Sequence, residues 1–241
     1  MASTSEVGFA KQLADFEDFT ELLAKLGDAF VPPKRELNLN NLQTQLAAAK
    51  DVMREVSRTA PIYSVAVDNQ ALAFKNLNDK ITRSLNYYKI CISNPAQIDT
   101  AKNLADKIRG MVKSTKAPLD SETSAVKKVS QSQMSYDSRI ENMRQYIDVL
   151  VLSGEYINPG SGIDIDDLNQ LLIGMEKTNS DVARLKFPLD EARNKRALIF
   201  YAPDTGLADL IIKVKRYLKA TLPKDHTLYP QLSKYTIRKR V

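Results

Sequence analysis

One cysteine, one histidine and no tryptophan occur in this chain of 241 residues. With Cys91 alone no intrachain disulfide forms, which suits a reducing compartment. A structural zinc site takes four ligands, and every cysteine-rich ligand set is out of reach. The di-iron carboxylate bundle needs a Glu-x-x-His on each of two helices, and one histidine cannot serve both. Any Ser-His-Asp or Cys-His site would have to use His226. That residue follows Pro223 in Lys224-Asp225-His226-Thr227 and reads as a solvated loop histidine. Glycine is scarce too: 8 Gly and 10 Pro argue against a turn-rich β-sandwich. Neither Gly-x-x-x-x-Gly-Lys-Ser/Thr nor Gly-x-Gly-x-x-Gly is present, so no phosphate-cradling loop is expected. No run approaches the roughly 18 apolar residues of a membrane-spanning helix. The first residues lack a basic and then apolar leader pattern. The expectation is a cytoplasmic, non-enzymatic protein with no catalytic residue, cofactor or metal.

What the chain does have is apolar content, 43% against 27% charged, enough to build a core. Its spacing is helical. Phe9, Leu13, Phe16, Leu23 and Leu26 fall on one face, and Val31-Pro32-Pro33 ends that run. From Leu39 a series advances by threes and fours through Leu42, Leu46, Ala49, Met53, Val56, Ala60, Tyr63 and Val67. Gln70 interrupts it; Phe74, Leu77 and Ile81 resume it, and Ser84 leads to Tyr88. This seven-residue seam lets helices lie side by side. The phase holds across Pro61, which predicts one helix over about 39–89, bent there. At ~1.5 Å per residue it would be about 75 Å long, which suits an elongated bundle. Ser93-Asn94-Pro95 reads as a stop and a new start, followed by a helix over about 96–113. Residues 114–130 are rich in Ser, Thr and Lys and read as a linker. Helices are expected over about 133–153, from near Ile163 to Tyr201 with Pro188 inside, and from about 204 to Pro223.

The two halves also align. Leu37-Asn38-Leu39-Asn40-Asn41-Leu42 matches Ile163-Asp164-Ile165-Asp166-Asp167-Leu168, and Gln70-Ala71-Leu72-Ala73-Phe74 matches Arg196-Ala197-Leu198-Ile199-Phe200. Phe9, Leu13 and Phe16 match Tyr136, Ile140 and Met143; Leu77, Ile81 and Tyr87 match Leu207, Ile211 and Tyr217. This predicts an internal duplication: short helix, loop, long bent helix, twice. The fold class is all-α, a single elongated helical bundle over 1–241. Repeat 1 covers about 7–92, a connecting helix and linker 93–132, repeat 2 about 133–222, and a basic tail 223–241. The alignment also bears on Asp164, Asp166 and Asp167, which resemble a calcium loop. The full EF-hand pattern is absent. Their counterparts are Asn38, Asn40 and Asn41, and Asn resembles Asp as a helix cap, not as a calcium ligand.

Four stretches resemble a large, uncharacterised bacterial family of all-helical tandem-repeat proteins. They are Ser130-Gln131-Ser132-Gln133-Met134-Ser135-Tyr136 with its continuation to Asn142, Ala192–Arg196 with Tyr201–Leu207, Val214–Lys219, and Tyr229–Lys234. The resemblance implies an all-helical fold and a cytoplasmic bacterial origin, and transfers no activity, ligand or site residue. Pro61 and Pro188 depart from it, since unbroken helix is expected there.

The net charge of +6 is concentrated at one end. Residues 213–241 hold nine cations against one acid, Asp225, which leaves 1–212 at −2. Lys213, Lys215, Arg216, Lys219, Arg238, Lys239 and Arg240 are therefore the candidate contacts for an anionic partner. Arg193, Lys195 and Arg196 form a second cationic group, read as side chains that snorkel or pair with neighbouring acids. Phe74, Phe200, Tyr87, Tyr88 and Tyr217 read as core, and Cys91 as a small apolar residue. The functional expectation is a protein-interaction or scaffold module that binds a protein partner or itself. The alternatives are a nucleic-acid-binding protein using the basic end, or a membrane-active helical bundle.

Overall fold

The structure is a computed structural model that describes residues 4–111, 135–157, 159–223 and 226–237. The expected linker at 114–130 and the cations Arg238, Lys239 and Arg240 lie outside these residues. The fold is all-α; among the described residues there is no strand. The helices are α1 (Thr4–Ala24), α2 (Leu39–Phe74), α3 (Leu77–Cys91), α4 (Pro95–Arg109), α5 (Tyr136–Ser153), α6 (Ile165–Tyr201), α7 (Leu207–Thr221) and α8 (Tyr229–Lys234). α2 passes through Pro61 and α6 through Pro188 without ending. Each proline lacks an N–H, so the carbonyls of Ser57 and Arg184 lose their usual i+4 donor.

The expected helix over 39–89 is instead two helices. The break lies at Lys75–Asn76, not at Pro61. The Lys75 N–H reaches back three residues to the Leu72 carbonyl, and Asn76 opens the next helix with its own carbonyl accepting from Lys80. The apolar phase runs on from Phe74 to Leu77 and Ile81, so the spacing carries no trace of the break. The corresponding turn after α6 is longer, residues 202–206. There the Gly206 N–H donates to the Ala202 carbonyl at 2.9 Å.

Two compact units divide the chain. Unit 1 comprises Met1–Ile62 and Lys186–Val241. Its core joins Phe16, Phe19 and Leu23 of α1 to Leu42, Leu46 and Ala49 of α2. Phe200 of α6 and Leu207, Leu210, Ile211, Val214 and Leu218 of α7 complete it, with Leu232 of α8 and Ile237. Residues 226–237 are thus no free tail. The sequence conceals this because a six-residue helix carries too few positions to show a period.

Unit 2 comprises Tyr63–Leu185. Its core takes Phe74 from α2, Leu77, Ile81, Leu85 and Tyr88 from α3, and Ala101, Leu104, Ala105 and Ile108 from α4. Met143, Tyr146, Ile147 and Leu150 of α5 and Leu168, Leu172 and Met175 of α6 close it. Both polar interruptions of the seam are buried here. The Gln70 amide donates to Asn179 Oδ1 at 2.7 Å. Ser84 Oγ lies 3.0 Å from the hydroxyls of both Tyr146 and Tyr156, and Tyr156 also reaches the Ile163 carbonyl at 2.8 Å. One O–H per group suffices for the chain Tyr146 to Ser84 to Tyr156 to Ile163.

Helix ends follow the sequence closely. Asn94 accepts from the Ala96 N–H and Pro95 takes the first turn of α4. Asn38 Oδ1 accepts from the Asn41 N–H at 2.8 Å at the start of α2. Before α6, Asp167 accepts from the Asp164 N–H, while Asp164 turns back to the Gly160 N–H. Asp167 thus makes the back-bond of a capping box, whereas Asp164 orders the loop before α6 and does not repeat the Asn38 cap.

Close backbone approach and phenol burial each set a measurable outcome. A Cβ on Gly206 would sit 2.7 Å from the Ala202 nitrogen and 2.8 Å from its carbonyl oxygen. Gly206→Ala should therefore cost about 1–3 kcal/mol in urea melts. Gly174→Ala, with open space inside α6, should instead gain roughly 0.5–1 kcal/mol. Burial raises the phenols of Tyr88, Tyr146 and Tyr156 above their ordinary value. An unfolded chain ionises them first, so their contribution is whole below pH about 10 and is lost as pH rises towards the folded values. Urea midpoints should fall as pH rises above about 10, and less so in Tyr146→Phe.

Candidate functional site

The cations of the basic end separate into three groups. Lys213 belongs to the fold. Its Nζ lies 3.0 Å from Asp204 Oδ1 and 3.5 Å from Glu36, and donates to the Asp204 carbonyl at 2.9 Å. Asp204 has a left-handed φ of 67°, so Lys213 ties down the strained turn between α6 and α7. These acids raise its pKa, Asp204 foremost. Lys215 is also engaged. Its Nζ donates to the Ser233 carbonyl of α8 at 2.6 Å, with Thr236 Oγ1 at 3.4 Å, and burial lowers its pKa. Arg216 and Lys219 are exposed and make no ion pair among the described residues.

Those two side chains stand on the rim of a groove between α7 and α8, with a volume of about 260 Å³. Its lining is mostly apolar, from Ile212, Leu218, Leu232 and Tyr229. Leu218 and Leu232 form the buried floor at 2% and 1% exposure, while Ile212 is 42% exposed. Ile212, Lys215, Arg216 and Lys219 are spaced i, i+3, i+4, i+7 and form one stripe of α7. The sequence singled out the cations. The groove is not visible in the sequence, because Ile212 lies off the α7 core stripe and α8 is too short to show a period. The Leu228-Tyr229-Pro230 start, with proline in a first helical turn, was the available signal for α8.

The other candidates have structural roles. Arg196 is buried at 4% exposure, with its guanidinium carbon 3.9 Å from the centroid of Phe9. Lys195 pairs with Glu191 one turn back at 2.9 Å and lies 3.9 Å from Glu55. The Nδ1 of His226 accepts from the Leu228 N–H at 3.2 Å, shaping the turn into α8. Among the described residues, no group of three His, Cys, Asp or Glu is placed to hold a metal ion, and no helix is long and apolar enough to cross a membrane. No protein-family model, curated protein or solved structure matches this chain.

Removing residues 235–241 deletes Ile237, which is 4% exposed in the unit 1 core, and Tyr235, which packs on Phe19. The truncated chain should lose at least about 2–4 kcal/mol, measured by urea unfolding. Arg216→Glu with Lys219→Glu should shift stability by no more than about 0.5 kcal/mol.

Proposed function

We propose that this protein is a non-enzymatic interaction module, and that it binds a protein partner through the groove between α7 and α8. The supporting observation is the pairing of an apolar groove with two cations on its rim, all open among the described residues. An apolar floor with a polar rim is the usual anatomy of a protein-recognition site. A nucleic-acid surface would instead spread phosphate contacts over a broad basic face. Here Lys213 and Lys215 are engaged within unit 1. The agreement of the two half-sequences supports an origin by internal duplication. The bacterial, cytoplasmic setting remains the implication of the family resemblance.

A photo-cross-linking residue at position 216 tests the reading in cells, with position 102 on the exposed side of α4 as control. A protein adduct from 216, absent from 102 and abolished by Ile212→Asp, is the expected result. In parallel, purified protein should shift neither RNA nor DNA oligonucleotides at low salt. A salt-dependent shift lost in Arg216→Glu with Lys219→Glu would replace this reading by a nucleic-acid one.

A further inference from the structure

We infer that α2 carries a second, outward seam through which two copies of this chain associate in parallel. The inward seam of the helix is already filled. Thr59, Ala66 and Gln70 are at most 8% exposed, and the Gln70 amide donates to Asn179 Oδ1 of α6 at 2.7 Å. About a third of the way around α2 lie Ile62, Val65, Asn69 and Leu72. They are spaced three, four and three, the alternation that holds one stripe of a helix against a partner helix. All four are exposed among the described residues, Ile62 at 49%, Val65 at 57% and Leu72 at 63%. Of the large exposed apolar residues on α2, only Val67 lies off this stripe. Single apolar residues are ordinary on a surface. Three on one stripe, with an uncharged residue between them, make a continuous strip about 15 Å long.

Asn69 identifies the occupant. Its amide holds one acceptor and two donors, which an apolar partner surface would leave unpaired. The same residue of a second copy supplies what each amide lacks. That pairing requires helices that run parallel and in register, since an antiparallel pair sets Asn69 against Val65 or Leu72. One Asn in an otherwise apolar seam is the device that fixes a two-stranded parallel register, at some cost in stability. The strip itself bears no charge, so two copies meet there without a like-charge penalty despite the net +6 of each chain. Arg58, one turn before Ile62, bounds it. α2 is already held helical by its inward face, so association does not have to nucleate a helix, and a short seam suffices for a weak dimer. This surface is separate from the groove between α7 and α8.

Sedimentation equilibrium of the full chain tests this. A reversible dimer with a dissociation constant of about 1–100 µM is expected. Val65→Glu with Leu72→Glu should weaken it at least about tenfold, as should Asn69→Asp, which sets like charges face to face. Asn69→Leu should tighten it severalfold, because the polar pair costs stability. Arg216→Glu with Lys219→Glu should leave it unchanged. All these positions are exposed, and unchanged urea midpoints confirm that the variants fold. Orientation is read from disulfides in a Cys91→Ser chain. Asn69→Cys should oxidise to an interchain disulfide, while Ala71→Cys, exposed on another side of the same helix, should not. A chain that stays monomeric to about 500 µM overturns the inference and leaves the strip to a different occupant. So does a dimer indifferent to the strip substitutions, or equal cross-linking from position 71. A dimer broken by Arg216→Glu with Lys219→Glu also overturns it, and assigns self-association to the groove.

Discussion

Keeping the apolar stripe of α7 from water is the requirement on which unit 1 depends. Leu207, Leu210, Ile211, Val214 and Leu218 are each at most 2% exposed. Burying a side chain of this size is worth roughly 1.5–3 kcal/mol, so these five outweigh any surface ion pair in the unit. The stripe explains why the pieces around it are where they are. α1 contributes four large side chains, Phe9, Phe16, Phe19 and Leu23; α2 and α6 lend one end each, and the chain returns after Pro223 to lay Leu232 and Ile237 against what remains. Lys213 and Lys215 then hold the two flanking segments, the 202–206 turn and α8, to the same helix. The face of α7 that builds the fold and the face that is left exposed are thus fixed by one helix of 15 residues.

Polar groups inside the units show how the seam tolerates its interruptions. A buried hydroxyl or amide without a partner costs about 1–3 kcal/mol, and two polar residues of the seam meet a second polar group on another helix. Gln70 has Asn179, and Ser84 has Tyr146 and Tyr156. Arg196 spreads its guanidinium over the ring of Phe9. None of these partners is near in sequence, and so the sequence shows Gln70, Ser84 and Arg196 only as breaks in a period. Seen in place, they restrict which helices can meet. A Tyr at 146 paired with an apolar residue at 84 would bury a hydroxyl donor unused.

How much was legible follows the same logic. Helix type, most helix ends and the core stripes rest on local chemistry: threes and fours, Asn or Ser before a first turn, glycine after a last one. Gly110 and Gly154 end α4 and α5 in left-handed conformations, which only local backbone geometry requires. The break at Lys75–Asn76 was illegible because α3 keeps the apolar phase of α2. The middle of α2 shows the reverse case. The period puts Ala60, Tyr63 and Val67 on the seam, yet Thr59 and Ala66 are the buried residues and Val67 is 37% exposed. A seven-residue pattern names a face; at Val52, Thr59 and Ala66 the buried residue is one position earlier, while Val56, Gln70 and Phe74 keep the phase. The groove was the least legible feature. It depends on where α8 lies against α7, and the spacing of the α7 cations cannot reveal a neighbour's position.

The basic end illustrates why net charge is a weak guide to a partner. Of the four cations on α7, two are committed to the fold. Lys213 neutralises Asp204 and Glu36 around a left-handed turn, and Lys215 donates to the Ser233 carbonyl in the last turn of α8. The charge of Lys213, already paired, contributes little field beyond its pair, the more so under physiological screening at about 8 Å, while Lys215 keeps its charge but has its donors engaged. What is left to recognise anything is a pair of side chains one turn apart, Arg216 and Lys219, beside an apolar strip. Two exposed charges cannot supply much affinity by themselves, since each such contact is worth at most about 1 kcal/mol. They can orient and select a ligand whose main contact is apolar. In the proposed reading, Ile212 and the Leu218–Leu232 floor would carry recognition, with charge deciding which apolar surface is admitted.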